Sequence, residues 1–228
     1  MGGRLLGVSI EERLDEVRLR IAEAAQRSGR APDSVRLVAV TKTKPTRDLR
    51  EALAAGCADF GENYVQELVA KADELAGEGA RFHFIGRLQR NKVKTVLEVP
   101  GLVLIHGVDS LRLIEALGQR ATHPIDVLIQ VNVSGEEQKG GCHPDDLPAL
   151  LEGARAFGHL SVRGLMTVPP IGEAESSRPH FQRLRELRDR QAAALPELSM
   201  GMSHDFEVAI EEGATLVRVG SAIFGSRS

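Results

Sequence analysis

The sequence predicts an α/β fold, a single (β/α)8 barrel with an extra N-terminal helix. Three observations predict it. Short apolar runs recur eight times along the 228 residues, amphipathic stretches lie between them, and the turn after the first run reads TKTKP. An open doubly wound sheet would carry a glycine-rich fingerprint at that turn, so closure into a TIM-type barrel is the better reading. Strands alternating with helices imply parallel pairing, and the length is close to the roughly 250 residues such barrels use.

The elements follow in order. Ser9 with Glu12 three residues on forms a capping box, and Leu14, Val17, Ile21 and Ala24 recur at helical spacing until Gly29 and Pro32 stop the pattern. Val35 to Val40 is a β-branched apolar run of the kind buried parallel strands show. Further strands are expected near Ala58 to Phe60, Phe82 to Ile85, Leu102 to His106, Val127 to Val133, Val162 to Met166, Leu198 to Met200 and Leu216 to Val219. TRDLREALAAG, NYVQELVAKADELAG, SLRLIEALGQRA and DDLPALLEGARAFG read as crossover helices. Little chain follows the eighth strand, so the N-terminal helix is expected to fill the place of a full eighth helix. VPPIGEAESSRP reads as a loop over the mouth, and no linker divides residues 1–228 into two domains.

Composition narrows the function classes. A formal charge of −3 and 4% aromatic content give no basic, aromatic-studded surface for nucleic acid. Cys57 and Cys142 stand far apart and outside any CxxC pair, which argues against a disulfide framework and for a reducing cytoplasm. No run approaches the roughly 20 apolar residues of a membrane span, and the first ten residues lack the apolar core of a signal peptide. The opening MGG fails as a myristoylation motif because residue 6 is Leu6, and it reads as a frayed terminus.

Barrel active sites lie at the C-terminal ends of the strands. Lys42 sits two residues past the first strand with the parity of Val38 and Val40, so a side chain there emerges at the mouth. An amine attacks a carbonyl only when neutral, and a partly dry mouth disfavours an ammonium, which makes Lys42 the candidate Schiff-base lysine. A solvated loop lysine is the alternative. Lys44 ranks second, since Pro45 holds its backbone extended. GMS after strand seven and VGSAIFG after strand eight offer a phosphate site in the two loops where barrels often bind one, with Gly201 and Gly220 for close approach and Ser203 and Ser221 as donors. Ordinary tight turns would read the same way. Arg218 inside strand eight needs an acceptor, either a carboxylate such as Glu62 or Asp205 or the ring nitrogen of pyridoxal 5′-phosphate. An arginine there leaves the ring nitrogen unprotonated and a poor electron sink, which favours holding the cofactor over stabilising a carbanion. Asn63 reads first as a helix N-cap and second as a polar group at the mouth. His83 and His106 lack HxH or HExxH spacing and read as buried or capping residues, so no metal is expected.

VAVTKTKP, FGENYVQE, FHFIGRLQRNK, VDSLRL, VNVSGEEQKGG, RGLMTV, GMSHDFEVAI and GATLVRVGSAIFG occur in that order between Val35 and Gly225. In these blocks the chain resembles the pyridoxal phosphate homeostasis proteins, related in fold to the barrel domain of alanine racemase. The resemblance implies pyridoxal phosphate on the lysine of the VTK segment, Lys42, with phosphate contacts at Ser203, Gly220 and Ser221. It implies no established catalysis and a role in controlling the free cofactor. Gly107 stands where many relatives have Ser, and Ser221 where Thr is frequent.

Three functions are therefore weighed. The first is a non-catalytic, monomeric carrier or regulator of pyridoxal phosphate that exchanges it with apoenzymes. The second is a racemase-like enzyme, which needs a second acid/base opposite the lysine, and the only tyrosine, Tyr64, is expected in the second crossover helix. The third is a Schiff-base aldolase on a phosphorylated sugar, with Glu62 and Asp205 as its acids at the mouth. The first is preferred.

Overall fold

The computed structural model describes residues 8–225 apart from 137 and 193, so the MGG terminus lies outside the described residues. Eight parallel strands close into a barrel in sequence order: β1 (Arg36–Val40), β2 (Asp59–Glu62), β3 (Arg81–Phe84), β4 (Leu102–Val108), β5 (Ile125–Gln130), β6 (Leu160–Met166), β7 (Glu197–Met202) and β8 (Leu216–Val219). β1 pairs with β2 on one side and with β8 on the other, with Val38 opposite Arg218. Each expected strand is present.

The first helix, α1 (Ile10–Arg27), starts at the Ser9/Glu12 capping box. The crossover helices are α2 (Thr46–Ala54), α3 (Val65–Glu74), α4 (Val93–Leu97), α5 (Leu111–Arg120), α6 (Leu147–Arg155), α7 (Arg178–Asp189) and α8 (Phe206–Glu211), and a single turn, α9 (Ser221–Phe224), follows β8. α1 packs on α8, α9 and α2 and so covers the flank that the short α9 leaves open. Its Leu14, Val17, Ile21 and Ala24 are buried there.

Strand alternation divides the core in two. Outward residues such as Phe60, Phe82, Ile105, Leu165 and Met200 join the large layer under the helices. Inward residues Val38, Leu104, Leu128, Met166 and Leu216 form a smaller cluster inside the barrel. The remaining inward space is polar: Asp59, His83, His106, Ser199 and Arg218 are all buried. Gly164 is needed where β6 meets β7, since a Cβ there would lie 1.9 Å from the Glu197 carbonyl oxygen.

No helix among the described residues is long and apolar enough to cross a membrane.

Candidate functional site

Lys42, Asn63, Ser203, Arg218, Gly220 and Ser221 all line one cavity of about 610 Å³ at the C-terminal ends of the strands. That size lies within the range of small-molecule sites. Val40, Ile85 and Met166 supply apolar wall, and Val168 and the 95% exposed Ile171 bring the loop after β6 to its rim.

The segment carrying Lys42 is clamped from both sides. Thr41 Oγ1 donates to Glu62 Oε1 at 2.5 Å, and the Thr43 amide donates to Glu67 Oε2 at 2.7 Å. Lys71 Nζ ties these groups together, donating to the Thr41 carbonyl (2.7 Å), Glu62 Oε1 (2.7 Å) and Glu67 Oε2 (2.8 Å). Thr43 takes φ 64°, a left-handed conformation that costs a β-branched residue about 1–3 kcal/mol and persists only where surroundings impose it. Burial pushes the Glu62 carboxyl up, against the opposing Lys71 charge and hydrogen bonds. Lys44 Nζ donates to the Phe224 carbonyl at 2.9 Å, so the second-ranked lysine ties the β1 loop to α9.

The loops after β7 and β8 are joined directly: the Gly220 amide donates to Ser203 Oγ at 3.1 Å. Because that oxygen accepts from the chain, its own proton is left to donate to a ligand. Asp205 fixes the β7 loop, accepting from the Met202 amide at 2.7 Å and from Ser177 Oγ at 2.8 Å.

Three expectations are corrected. Asn63 is not the cap of the following helix, which starts at Val65 with Tyr64 in the N-cap position. Asn63 instead lines the cavity, and its Oδ1 is buried with no partner among the described residues. Tyr64, for its part, is 54% exposed. Arg218 bonds neither Glu62 nor Asp205: Nη1 donates to Ser199 Oγ at 2.6 Å and Nη2 to the Thr167 carbonyl at 3.0 Å. Burial pushes this guanidinium down to about 10, still a cation at neutral pH. Glu62 and Asp205 are fully buried and bonded within the chain, which leaves them no role as acids at the mouth.

Sequence reasoning missed the network behind Arg218. Ser199 Oγ lies 2.8 Å from His106 Nδ1, His106 Nε2 lies 3.0 Å from His83 Nδ1, and His83 Nε2 lies 2.9 Å from Asp59 Oδ1. Arg81 pairs with Asp59 at the far end. The available signal was parity, since all these residues fall on the inward side of their strands. Glu67 and Lys71 were also missed, and their four-residue spacing on α3 places them on one helix face. Among the described residues no group of three or more His, Cys, Asp and Glu is arranged to hold a metal ion.

Comparison with known proteins agrees with this architecture. Residues 13–228 match the family described as alanine racemase, N-terminal domain. The chain is 48% identical to the pyridoxal phosphate homeostasis protein of Pseudomonas aeruginosa, over 96% of each chain. It is 47% identical to that of Aquifex aeolicus, over 95% of this chain and 97% of the relative. Among solved structures it resembles PipY of Synechococcus elongatus PCC7942, determined with PLP bound, at a TM-score of 0.82 and 37% identity over 95% of this chain and all of that one. The chain therefore belongs to the pyridoxal phosphate homeostasis proteins, within the family of the alanine racemase N-terminal barrel.

Proposed function

We propose that this chain binds pyridoxal 5′-phosphate through Lys42 and serves cofactor homeostasis as a carrier, not as a catalyst. One observation carries the reading: a single cavity brings together Lys42, the joined Ser203 and Gly220 loops, and a buried Arg218 whose hydrogen bonds among the described residues go only to uncharged oxygens.

The cavity suits the group on its own terms. The buried Asn63 Oδ1 lacks a partner that a polar ring substituent would supply. A cation buried without a carboxylate calls for a further acceptor, which a pyridine nitrogen provides. The cofactor supplies an aldehyde that condenses with a primary amine, together with a phosphate dianion. Lys42 provides the amine, held by the clamped Thr41–Thr43 turn. Ser203 and Ser221 would bind the phosphate by their hydroxyls, with Gly220, whose amide is held by Ser203 Oγ, letting the loop approach it closely. Arg218 donates to the ring nitrogen and so keeps protons off it, which suits storage better than carbanion chemistry.

Racemisation needs a second acid/base facing the lysine, and Tyr64 is not among the residues lining the cavity. The open mouth supports release to pyridoxal-phosphate-dependent apoenzymes, measured as transfer faster than spontaneous release. The chain acts as one monomeric barrel in this reading, which sedimentation should report as a mass of 24.7 kDa independent of concentration. A reducing cytoplasm suits two free, unpaired thiols, and burial, which pushes Cys57 up to about 11 and Cys142 up to about 12, keeps both protonated and unreactive.

The test is the visible spectrum with pyridoxal phosphate before and after borohydride, followed by peptide mass mapping. Attachment at Lys42, lost in a folded Lys42→Ala variant, is the expected result; attachment elsewhere or no band refutes the proposal.

A further inference from the structure

We infer that Asp59, His83, His106 and Ser199 form a one-directional hydrogen-bonded chain that positions the Arg218 guanidinium in the cavity from the opposite end of the barrel. The inference rests on the proposed cofactor site only for what Arg218 meets there. Asp59 opens β2 at the N-terminal end, His83, His106 and Ser199 lie on β3, β4 and β7, and each successive contact is 2.8–3.0 Å until Arg218 closes the series at 2.6 Å. All five side chains are buried, so each link must be satisfied within the chain.

The direction follows from the two charged ends. Arg218 can only donate, so Ser199 Oγ accepts from it and keeps its own proton available for His106 Nδ1, whose role the Asp59 end decides. Ionised Asp59 can only accept, so His83 carries its proton on Nε2 and presents a bare Nδ1. His106 Nε2–H then donates to that nitrogen. Both imidazoles are thereby neutral Nε2–H tautomers. The reverse order would point the lone pair of His83 Nε2 at the carboxylate. Arg81, paired with Asp59 at the rim, favours the ionised carboxylate on which the order depends. Burial pushes the Asp59 carboxyl up, but hydrogen bonds from His83 and Arg81 outweigh it and hold the group well below the ordinary range. The serine hydroxyl thus has one orientation, and with the Thr167 carbonyl it leaves the guanidinium one place to point.

Long-range 1H–15N spectra of the full chain without cofactor test the order directly. Nε2–H tautomers at both His83 and His106 at pH 7 are expected; an Nδ1–H tautomer or an imidazolium at either position overturns it. In Asp59→Asn the charge that selects the direction is gone, and both histidines become tautomer mixtures with weaker pyridoxal phosphate binding. Ser199→Ala removes only the last link. It keeps the histidine tautomers but binds the cofactor about tenfold more weakly, as expected for one lost hydrogen bond to a charged group, and shifts the bound absorption maximum. Unchanged affinity and spectrum in Ser199→Ala overturn the positioning role even if Asp59→Asn fails to fold. Failure of the wild-type chain to bind the cofactor refutes the functional reading instead, and the tautomers then decide the chain alone.

Discussion

The Thr43 amide donates to Glu67 Oε2 at 2.7 Å, which holds a β-branched residue at φ 64° one position after Lys42. A left-handed threonine is retained only under such constraint, so the contact sets where the Lys42 side chain leaves the backbone. Hydrogen bonds from Lys71 and Thr43 keep the Glu67 carboxyl below its ordinary range despite partial burial. Glu67→Ala should cost about 1–3 kcal/mol in urea unfolding, the range for stranding partly buried hydrogen-bonding groups. It should also weaken pyridoxal phosphate binding severalfold in a spectroscopic titration. Thr43→Gly should relieve the strain yet still weaken binding, because the turn is freed; unchanged binding in both variants would show that the clamp does not position Lys42.

Lys71 and Glu62 form the buried part of the same clamp, 2.7 Å apart with side chains 7% and 0% exposed. Breaking one member of such a pair typically costs about 3–5 kcal/mol, because the other stays buried and charged. Lys71→Met should therefore destabilise strongly in denaturant melts. Adding Glu62→Gln should recover much of the loss, since the uncompensated charge is then gone.

Much of the fold was legible because period-two alternation and capping residues are local signals. Val38, Val40 and Lys42 share a parity visible in the sequence, and the cavity contains the side chains it predicted there. The polar filling of the barrel was not legible. His83 and His106 are 23 residues apart in the sequence, and only the parallel pairing of β3 with β4 brings His83 Nδ1 and His106 Nε2 to 3.0 Å. Asn63 misled for a related reason, since its residue type suits a cap but helix α3 begins two residues later. The Arg218 partners were likewise misjudged because Ser199 and the Thr167 carbonyl carry no charge to attract notice.

Gly220 tests the phosphate loops without touching charge. A Cβ there would lie 3.2 Å from the Val40 carbonyl oxygen and 3.3 Å from Val40 Cβ, so alanine must shift the β8 loop against β1 by a few tenths of an ångström. Overpacking of this kind costs about 1–3 kcal/mol. Gly220→Ala should weaken binding of pyridoxal 5′-phosphate far more than that of unphosphorylated pyridoxal, since only the former uses the displaced loop. Equal losses for both ligands would place the phosphate elsewhere.

The histidine pair predicts how stability depends on pH. Burial depresses His83, against the opposing Asp59 carboxylate, with Arg36 and Arg81 adding to the depression. Burial depresses His106 further, helped by the facing His83, Arg218 and Arg36. In the unfolded chain both return to about 6.5. As pH falls below that value the unfolded state takes up protons that the folded state refuses, so folding stability declines. The slope reaches about 1.4 kcal/mol per pH unit for each histidine until the folded groups begin to titrate. Glu62 has the opposite sign, because its raised folded carboxyl gains protons before the unfolded one does. Its contribution lies above 4.5 and is common to wild type and variant, so comparing the two between pH 6.5 and 5.5 isolates the histidine term. Urea unfolding across that interval should show the decline in the wild-type chain and a shallower one in His106→Gln, which keeps hydrogen-bonding groups but cannot titrate. An identical slope in the variant would mean that His106 is already charged in the fold, contrary to the neutral chain inferred here.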